Sequence, residues 1–219
     1  MKSLLLAAAL FLPAAASAFA DRTAQNPRPT GSSAPSATVD SARALIKDWP
    51  ADSKTAAEAM LAEYGAPDAA GGKFLVWLER DPFLRIAVAR DPVKHLFPVA
   101  HNDVLFEEIR LKVPLDKAAE LARFDGSLIV DRTRGTAASR CDSEASNLLA
   151  LNAANEILQG KRDVDSARRF VADTRALSLA GKSSAYMEKL LFEPKLDTAE
   201  PDAEMRVKVP ATTPASHAQ

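Results

Sequence analysis

The chain has 219 residues but only one cysteine, Cys141. A single cysteine excludes an internal disulfide, so the fold has to be stabilised by ordinary packing. Two roles stay open for this thiol. It is either a small apolar side chain buried in the core, or a residue that pairs with another chain.

An excess of charge and a second long apolar run are also missing. The formal net charge is -1 at pH 7, which argues against general nucleic-acid binding and against attraction to an anionic membrane. No segment beyond the first 20 residues is apolar for long enough to span a bilayer. The sequence has no phosphate-binding loop, dinucleotide glycine fingerprint, nucleophile elbow, zincin helix or paired-cysteine motif. We therefore expect none of the enzyme classes that these motifs mark.

What the sequence does contain begins with a leader-like segment over residues 1–20. Lys2 supplies a positive start, residues 4–12 are apolar, and two small-x-small tripeptides end at Ala18 and Ala20. This order is typical of a cleaved signal peptide, and the apolar run is too short for a transmembrane helix. We predict cleavage after Ala20 or Ala18. Because no cysteine stands at the cleavage site, we expect an unlipidated protein of the periplasm or the extracellular space.

Composition divides the remaining chain into one domain with two polar flanks. Residues 21–37 are rich in Pro, Ser, Thr, Gly and Asn, which predicts a flexible linker. Residues 194–219 are similar and predict a mostly disordered tail, in which Met205–Val209 could add an edge strand. The segment between them, 38–193, predicts a single domain.

The hydrophobic periodicity of this domain predicts an α+β fold. Helices are predicted over 39–48, 53–64, 115–124, 136–159, 164–174 and 184–191, and strands over 74–79, 84–89, 104–113 and 127–131. Helices, then strands, then helices, without βαβ alternation, favour an antiparallel sheet of about four strands covered by helices. We expect the long apolar helix over Thr136–Gln159 to be the central core element, with Leu151 buried.

The first candidate site lies in the predicted loop over residues 91–102, between the second and third strands. His95, His101 and Asp103 offer imidazole nitrogens and a carboxylate oxygen, which suit zinc or a similar divalent ion. Their spacing is not a recognised metal signature, so a further ligand would have to come from the fold. Two alternatives stay open. His101 and Asp103 could bond the loop backbone while His95 is solvated, or a histidine could act as a general base oriented by the carboxylate.

The second candidate site lies on the predicted long helix. Arg140, Glu144 and Asn147 follow each other at i, i+4 and i+7, so they would share one helix face. Polar groups on so apolar a helix need partners if they are buried. The functional interpretation is a polar cluster at the mouth of a cleft, with Asp125 nearby. The alternative is a structural network that ties the start of the helix to the preceding strand.

Aromatic residues form a third candidate group. Rings beside loops can bind sugars or peptides, but packing in the core is the simpler role. We expect Trp77 and Phe106 in the core and treat Trp49, just before Pro50, as a candidate surface contact. The full group is Trp49, Tyr64, Trp77, Phe83, Phe97 and Phe106.

Several short motifs resemble those of a family of uncharacterised secreted bacterial proteins of about this size. The matching motifs, spread over residues 40–192, are Glu63-Tyr64-Gly65-x-Pro67, Phe97-Pro98, His101-x-Asp103, Phe124-Asp125-Gly126-Ser127 and Arg140-Cys141-Asp142-x-Glu144-x-x-Asn147-x-Leu149-Ala150-Leu151-Asn152. The resemblance implies a single exported domain and no particular activity.

These observations lead to two functional hypotheses. The first is a non-catalytic module of the bacterial envelope that binds another envelope protein or a small molecule. The second is a metal-assisted hydrolase that uses His95, His101 and Asp103.

Overall fold

The computed structural model describes residues 37–203, so the predicted signal peptide, most of the predicted linker and the end of the C-terminal flank lie outside the described residues. The described range contains six helices and six strands. The helices are α1 (Val39–Ile46), α2 (Ala51–Tyr64), α3 (Leu115–Phe124), α4 (Glu144–Leu158), α5 (Val164–Leu179) and α6 (Ala185–Glu188). The strands are β1 (Ala69–Gly71), β2 (Phe74–Arg80), β3 (Phe83–His95), β4 (His101–Arg110), β5 (Ile129–Asp131) and β6 (Thr136–Cys141).

The strands form one sheet in the order β1-β2-β3-β4-β6-β5, and every neighbouring pair is antiparallel. This confirms the predicted α+β fold with an antiparallel sheet covered by helices. The predicted number of about four strands is wrong, because β1 and β6 join the other four.

Strand β6 replaces the first part of the predicted Thr136–Gln159 helix, which begins only at Glu144 as α4. The sequence of β6, TAASRC, has little strand propensity of its own. It is paired on both sides, with β4 and with β5, and these backbone hydrogen bonds outweigh its weak local preference.

The predicted loop over residues 91–102 is largely strand. Strand β3 continues to His95 through an irregular register between Val88 and Val93, and β4 begins at His101. A bulge of this kind tolerates Pro92, which cannot donate a ladder hydrogen bond. Both histidines therefore stand on ordered strand ends.

Helix α4 is the central core element, as predicted. It packs on β4 and β6, while α5 and α6 pack on α4 itself. Leu151 is fully buried, and Trp77 on β2 is buried beneath the helices. Trp49 is buried too, so the sequence-based candidate for a surface contact belongs to the core. None of the helices described here has the combined length and apolar character needed to cross a membrane.

The opposite face of the sheet, which we call the open face, has no helix between residues 37 and 203 packed on it. Side chains on this face include Val76, Ala87 and Phe106, which the strand register places side by side. Phe74 and Leu78 belong to the same face and are 53% and 46% exposed. The open face therefore carries exposed apolar side chains together with charged ones such as Arg85 and Arg140.

Residues just beyond the predicted domain end also contact the turn between β5 and β6. Thr198 is buried, and the backbone N–H of Glu200 donates to the carbonyl of Arg132 at 2.9 Å. Gly135 has a φ of 69°, and a Cβ at this position would lie 2.2 Å from the Thr198 carbonyl carbon. The glycine thus permits the close approach of this segment. Met205–Val209 lies outside the described residues, and the domain boundaries remain predictions.

Candidate metal centre

The pairing of β3 with β4 brings the two sequence-predicted histidines together. His95 and His101 are direct cross-strand partners, so both side chains lie on the same face of the sheet. Asp103 follows His101 by two residues and points to that face as well, because side chains alternate along a strand. One potential ligand atom of each residue lies within 4.8 Å of those of the other two.

The ligand atoms of these three residues converge on one carboxylate oxygen. His101 Nε2 lies 3.1 Å from Asp103 Oδ1, and His95 Nδ1 lies 3.5 Å from the same oxygen. In a tetrahedral zinc site with bonds of about 2.0–2.1 Å, neighbouring nitrogen or oxygen ligands lie about 3.3–3.4 Å apart. The two distances to Asp103 Oδ1 are therefore close to those of a zinc-ligand set, while the three ligand atoms together lie within 4.8 Å of one another.

Each imidazole also has an oxygen near its other nitrogen. His101 Nδ1 is hydrogen-bonded to the carbonyl oxygen of Val99 at 2.8 Å, whereas His95 Nε2 lies 3.7 Å from Asp125 Oδ1, which is an ion-pair distance and too long for a hydrogen bond. Metal-binding histidines usually have a carbonyl or carboxylate in this position, which fixes the tautomer and orients the ring. The arrangement leaves His101 Nε2 and His95 Nδ1 directed at Asp103.

The loop after α3 supports this group of side chains. The Ser127 backbone N–H donates to Asp125 Oδ1 at 2.8 Å, which holds the loop in a tight turn. The Ser127 hydroxyl donates to Asp103 Oδ2, the oxygen that does not face His101. Both oxygens of the buried Asp103 carboxylate are thus bonded, and its orientation is fixed.

Without a metal ion the cluster balances its own charges. Hydrogen bonding to Asp103 raises the pKa of His101 to about 11. Burial alone would raise the pKa of Asp103, but the hydrogen bonds from His101 and Ser127 outweigh it and hold that pKa below its ordinary value. We therefore describe the metal-free cluster as an imidazolium of His101 paired with a carboxylate of Asp103.

Cys141 adjoins the cluster from β6. Its Sγ lies 3.2 Å from His101 Nε2, and the side chain is buried and not part of a disulfide. Burial raises the pKa of this thiol despite the nearby histidine. A nucleophilic cysteine needs a lowered pKa, so the surroundings of Cys141 do not activate it.

Two members of the second predicted cluster lie elsewhere, in a group that we call the glutamate cluster: Tyr64, Glu107, Glu144 and Asn147. The Asn147 amide donates to Glu107 Oε2 at 2.9 Å, and the Tyr64 hydroxyl donates to Glu144 Oε2 at 2.8 Å. Burial raises the pKa of Glu107 well above its ordinary value, and the neighbouring Glu144 carboxylate adds to the rise. Burial and Glu144 likewise raise the pKa of Tyr64.

The four residues Arg140, Glu144, Asn147 and Asp125 consequently do not form one site. Arg140 belongs to β6 and pairs with Phe106, so it lies on the open face rather than on the helix. Asp125 lies beside His95, in the metal centre. The prediction that Arg140 shares a helix face with Glu144 and Asn147 was wrong, because residue 140 precedes the helix.

Sequence reasoning missed Glu107 and Ser127. Strand alternation could have revealed Glu107, because it falls on the same side of β4 as the core residue Ile109. A carboxylate at an inward position is unusual enough to mark a buried polar group. Ser127 carries no such signal, since only the fold brings it to Asp103.

Comparisons with known proteins add no further assignment: no family model, curated protein or solved structure matches this chain.

Proposed function

We propose that this protein is an exported binding module for a divalent metal ion, zinc in particular. His95 Nδ1, His101 Nε2 and Asp103 Oδ1 would be its ligands. The observation that carries the proposal is the convergence of both imidazoles on one buried carboxylate oxygen, with the other nitrogen of His101 bonded to a carbonyl and that of His95 near the Asp125 carboxylate. Nitrogen and carboxylate ligands in this ratio suit zinc.

Binding rather than catalysis is favoured by the space around the ligands. The cavity beside His101 and Cys141, walled by Phe97, has a volume of about 20 Å³. A volume of this size holds about one water molecule, whereas sites for small organic ligands enclose roughly 300–1,000 Å³. The side chains of Asp103, His101 and His95 are 1%, 8% and 18% exposed, so little of the ligand set is accessible to a substrate.

Hydrolysis is the second candidate, and the same cavity provides its support. Three protein ligands and one water form the usual catalytic zinc site, in which the metal lowers the pKa of the water. The cavity beside His101 could hold that water. In this case a substrate would have to reach the metal through movement of the loop that carries Phe97.

Zinc titration of the metal-free exported chain, followed by calorimetry, tests the proposal. We expect one zinc ion per chain. His101→Ala and His95→Ala should each weaken binding by more than about 100-fold, the upper end of the loss seen for residues that only support a ligand. His217→Ala removes the third histidine and is the matched control. Failure to bind, or equal loss in the control, would contradict the proposal.

The same samples distinguish the two functions. Zinc-loaded protein would be assayed against carboxylic and phosphoric esters. Turnover that disappears in His101→Ala but persists in His217→Ala would replace the binding module with the hydrolase. Zinc binding without turnover would support the module.

A further inference from the structure

The open face contains a row of side chains that crosses the sheet. The register aligns Val76 of β2 with Ala87 of β3, Phe106 of β4 and Arg140 of β6. Directly paired residues in antiparallel strands project to the same side, so the row consists of three apolar side chains followed by the guanidinium of Arg140. This row is separate from the metal centre, which lies on the helix-covered face.

The row forms the floor of a cavity of about 390 Å³. Phe74 and Ile129 also line it and are 53% and 43% exposed. The volume falls within the range of pockets that bind small organic molecules. A long alkyl chain laid along this floor would cover apolar surface that is now exposed to water.

Two arginines line the cavity, but only one is already paired. Arg85 stacks on the Phe106 ring at 4.8 Å, and its Nη2 lies 3.2 Å from Glu108 Oε2. Arg140 makes no ion pair with any residue between 37 and 203, and the Nε atoms of both arginines are buried without a hydrogen-bond acceptor. The acidic Asp91, also in the lining, pairs with Lys73 at 3.5 Å. Asp103 lines the cavity too, but both of its carboxylate oxygens are bonded, to His101 and to Ser127. Among the charged groups of the lining, Arg140 is therefore the one without an opposite charge beside it.

We propose that the open-face cavity binds an anionic amphiphile, a long-chain fatty acid. The Arg140 guanidinium pairs with the carboxylate, and the alkyl chain lies over Phe106, Ala87 and Val76. A guanidinium can take a carboxylate through two parallel N–H···O bonds, so an anionic headgroup would give Arg140 the charge partner that it lacks. The inference does not require a metal ion at Asp103, whose buried carboxylate borders the same cavity.

Fluorescence titration of the exported chain with cis-parinaric acid, a fluorescent long-chain fatty acid, tests this inference. We expect saturable binding at one molecule per chain, with displacement by oleate but much weaker displacement by oleyl alcohol, which has no carboxylate. Arg140→Gln should weaken binding by about tenfold or more, the usual worth of a charged hydrogen bond. Arg110→Gln is the matched control, because Arg110 lies on the same face outside this cavity.

Val76→Asp provides a second test should Arg140→Gln fail to fold. The new carboxylate would repel the ligand from the floor of the cavity and should abolish binding. The inference is overturned if the native chain shows no saturable binding, if Arg140→Gln binds as tightly as the native chain, or if oleyl alcohol competes as well as oleate. It is also overturned if sedimentation shows a dimer that Val76→Asp dissociates, since a second copy would then occupy this face.

Discussion

Two buried polar clusters lie on the helix-covered face of one sheet, and they balance charge in opposite ways. The histidine cluster around Asp103 combines an imidazolium with a carboxylate, and each holds the charged form of the other. The glutamate cluster places Glu107 next to Glu144, two groups of the same sign, with neutral donors from Tyr64 and Asn147.

The contrast shows what each cluster can do. In the histidine cluster the imidazolium and the carboxylate neutralise each other. The same imidazole nitrogens and carboxylate oxygen could instead bind a metal cation. Like charges in the glutamate cluster require that Glu107 keep its proton, because burial penalises the ionised form. We therefore interpret the first as a binding centre and the second as a structural brace between α2, α4 and β4.

The largest effect is expected for removal of the carboxylate at the centre of the histidine cluster. Asp103→Ala leaves the imidazolium of His101 without its main partner and the Ser127 hydroxyl without an acceptor. Breaking a buried pair on one side costs about 3–5 kcal/mol. Urea denaturation of metal-free protein measures the loss.

The isosteric variant is the control for that prediction. Asp103→Asn keeps an acceptor for Ser127 and fills the same volume, so it should lose less stability than Asp103→Ala. Equal stability of Asp103→Ala and the native chain would show that the ion pair contributes nothing, and the contrast between the clusters would fail.

Leu151→Ala supplies an apolar reference for both clusters. Leu151 is fully buried on α4, the helix that carries Glu144 and Asn147. The substitution should cost about 2–5 kcal/mol through lost burial and a cavity. Urea midpoints again give the value, and Leu177→Ala on the exposed surface of α5 is the matched control. A Leu151→Ala protein as stable as the parent would refute the central role of α4.

Most of the fold could be predicted because its elements have clear periods. Strand β4 alternates and α5 begins at a capping aspartate, Asp163, whose side chain accepts from the Ser166 N–H. Strand β6 could not be predicted, since alanine and serine carry no strand signal and its pairing with β4 and β5 is a tertiary effect. For the same reason, the predicted helix over Thr136–Gln159 wrongly included the residues of β6.

The sequence indicated which residue types could bind a metal, but it did not show which of these residues the fold brings together. His95, His101 and Asp103 stand out as metal-ligand types, and the strand pairing then brings them together. Asp125 was assigned to the wrong group, because sequence distance does not show that the loop after α3 returns to His95. Arg140 was misplaced because the helix assignment at residue 140 was wrong.

A smaller effect is expected when the glutamate cluster loses its tyrosine hydroxyl. Tyr64→Phe removes the donor to Glu144, and a hydrogen bond to a charged group is worth about 1.5–3 kcal/mol when buried. Because Tyr64 is half-buried, we expect about 1–2 kcal/mol. Tyr186→Phe is the matched control, since its hydroxyl donates to Glu156, which also bonds Arg162.

Chemical denaturation of the two tyrosine variants at neutral pH sharpens the comparison. Glu156 keeps a cationic partner, Arg162, after Tyr186→Phe, whereas Glu144 makes no ion pair with any residue between 37 and 203. Tyr64→Phe should therefore lose more stability than Tyr186→Phe. The opposite order would mean that a remaining cationic partner does not reduce the loss caused by removing the tyrosine hydroxyl.

The one expected gain of stability concerns Glu107 itself. Burial raises the pKa of this carboxyl above its ordinary value of 4.5, so the folded chain holds a proton that the unfolded chain releases at higher pH. Stability from this residue is thus complete below about pH 4.5 and is lost as pH rises from there through the folded pKa. Glu107→Gln holds no titrating proton and keeps an oxygen for Asn147. We expect it to match the native chain near pH 4 and to exceed it at pH 7–8, by a margin that grows with pH up to the folded pKa of Glu107. Unfolding free energies measured over pH 4–8 check both ends. If Glu107→Gln instead weakens the protein equally at every pH, Glu107 is ionised in the folded chain. Both clusters would then contain an ionised carboxylate on β4, and the contrast between them would be wrong.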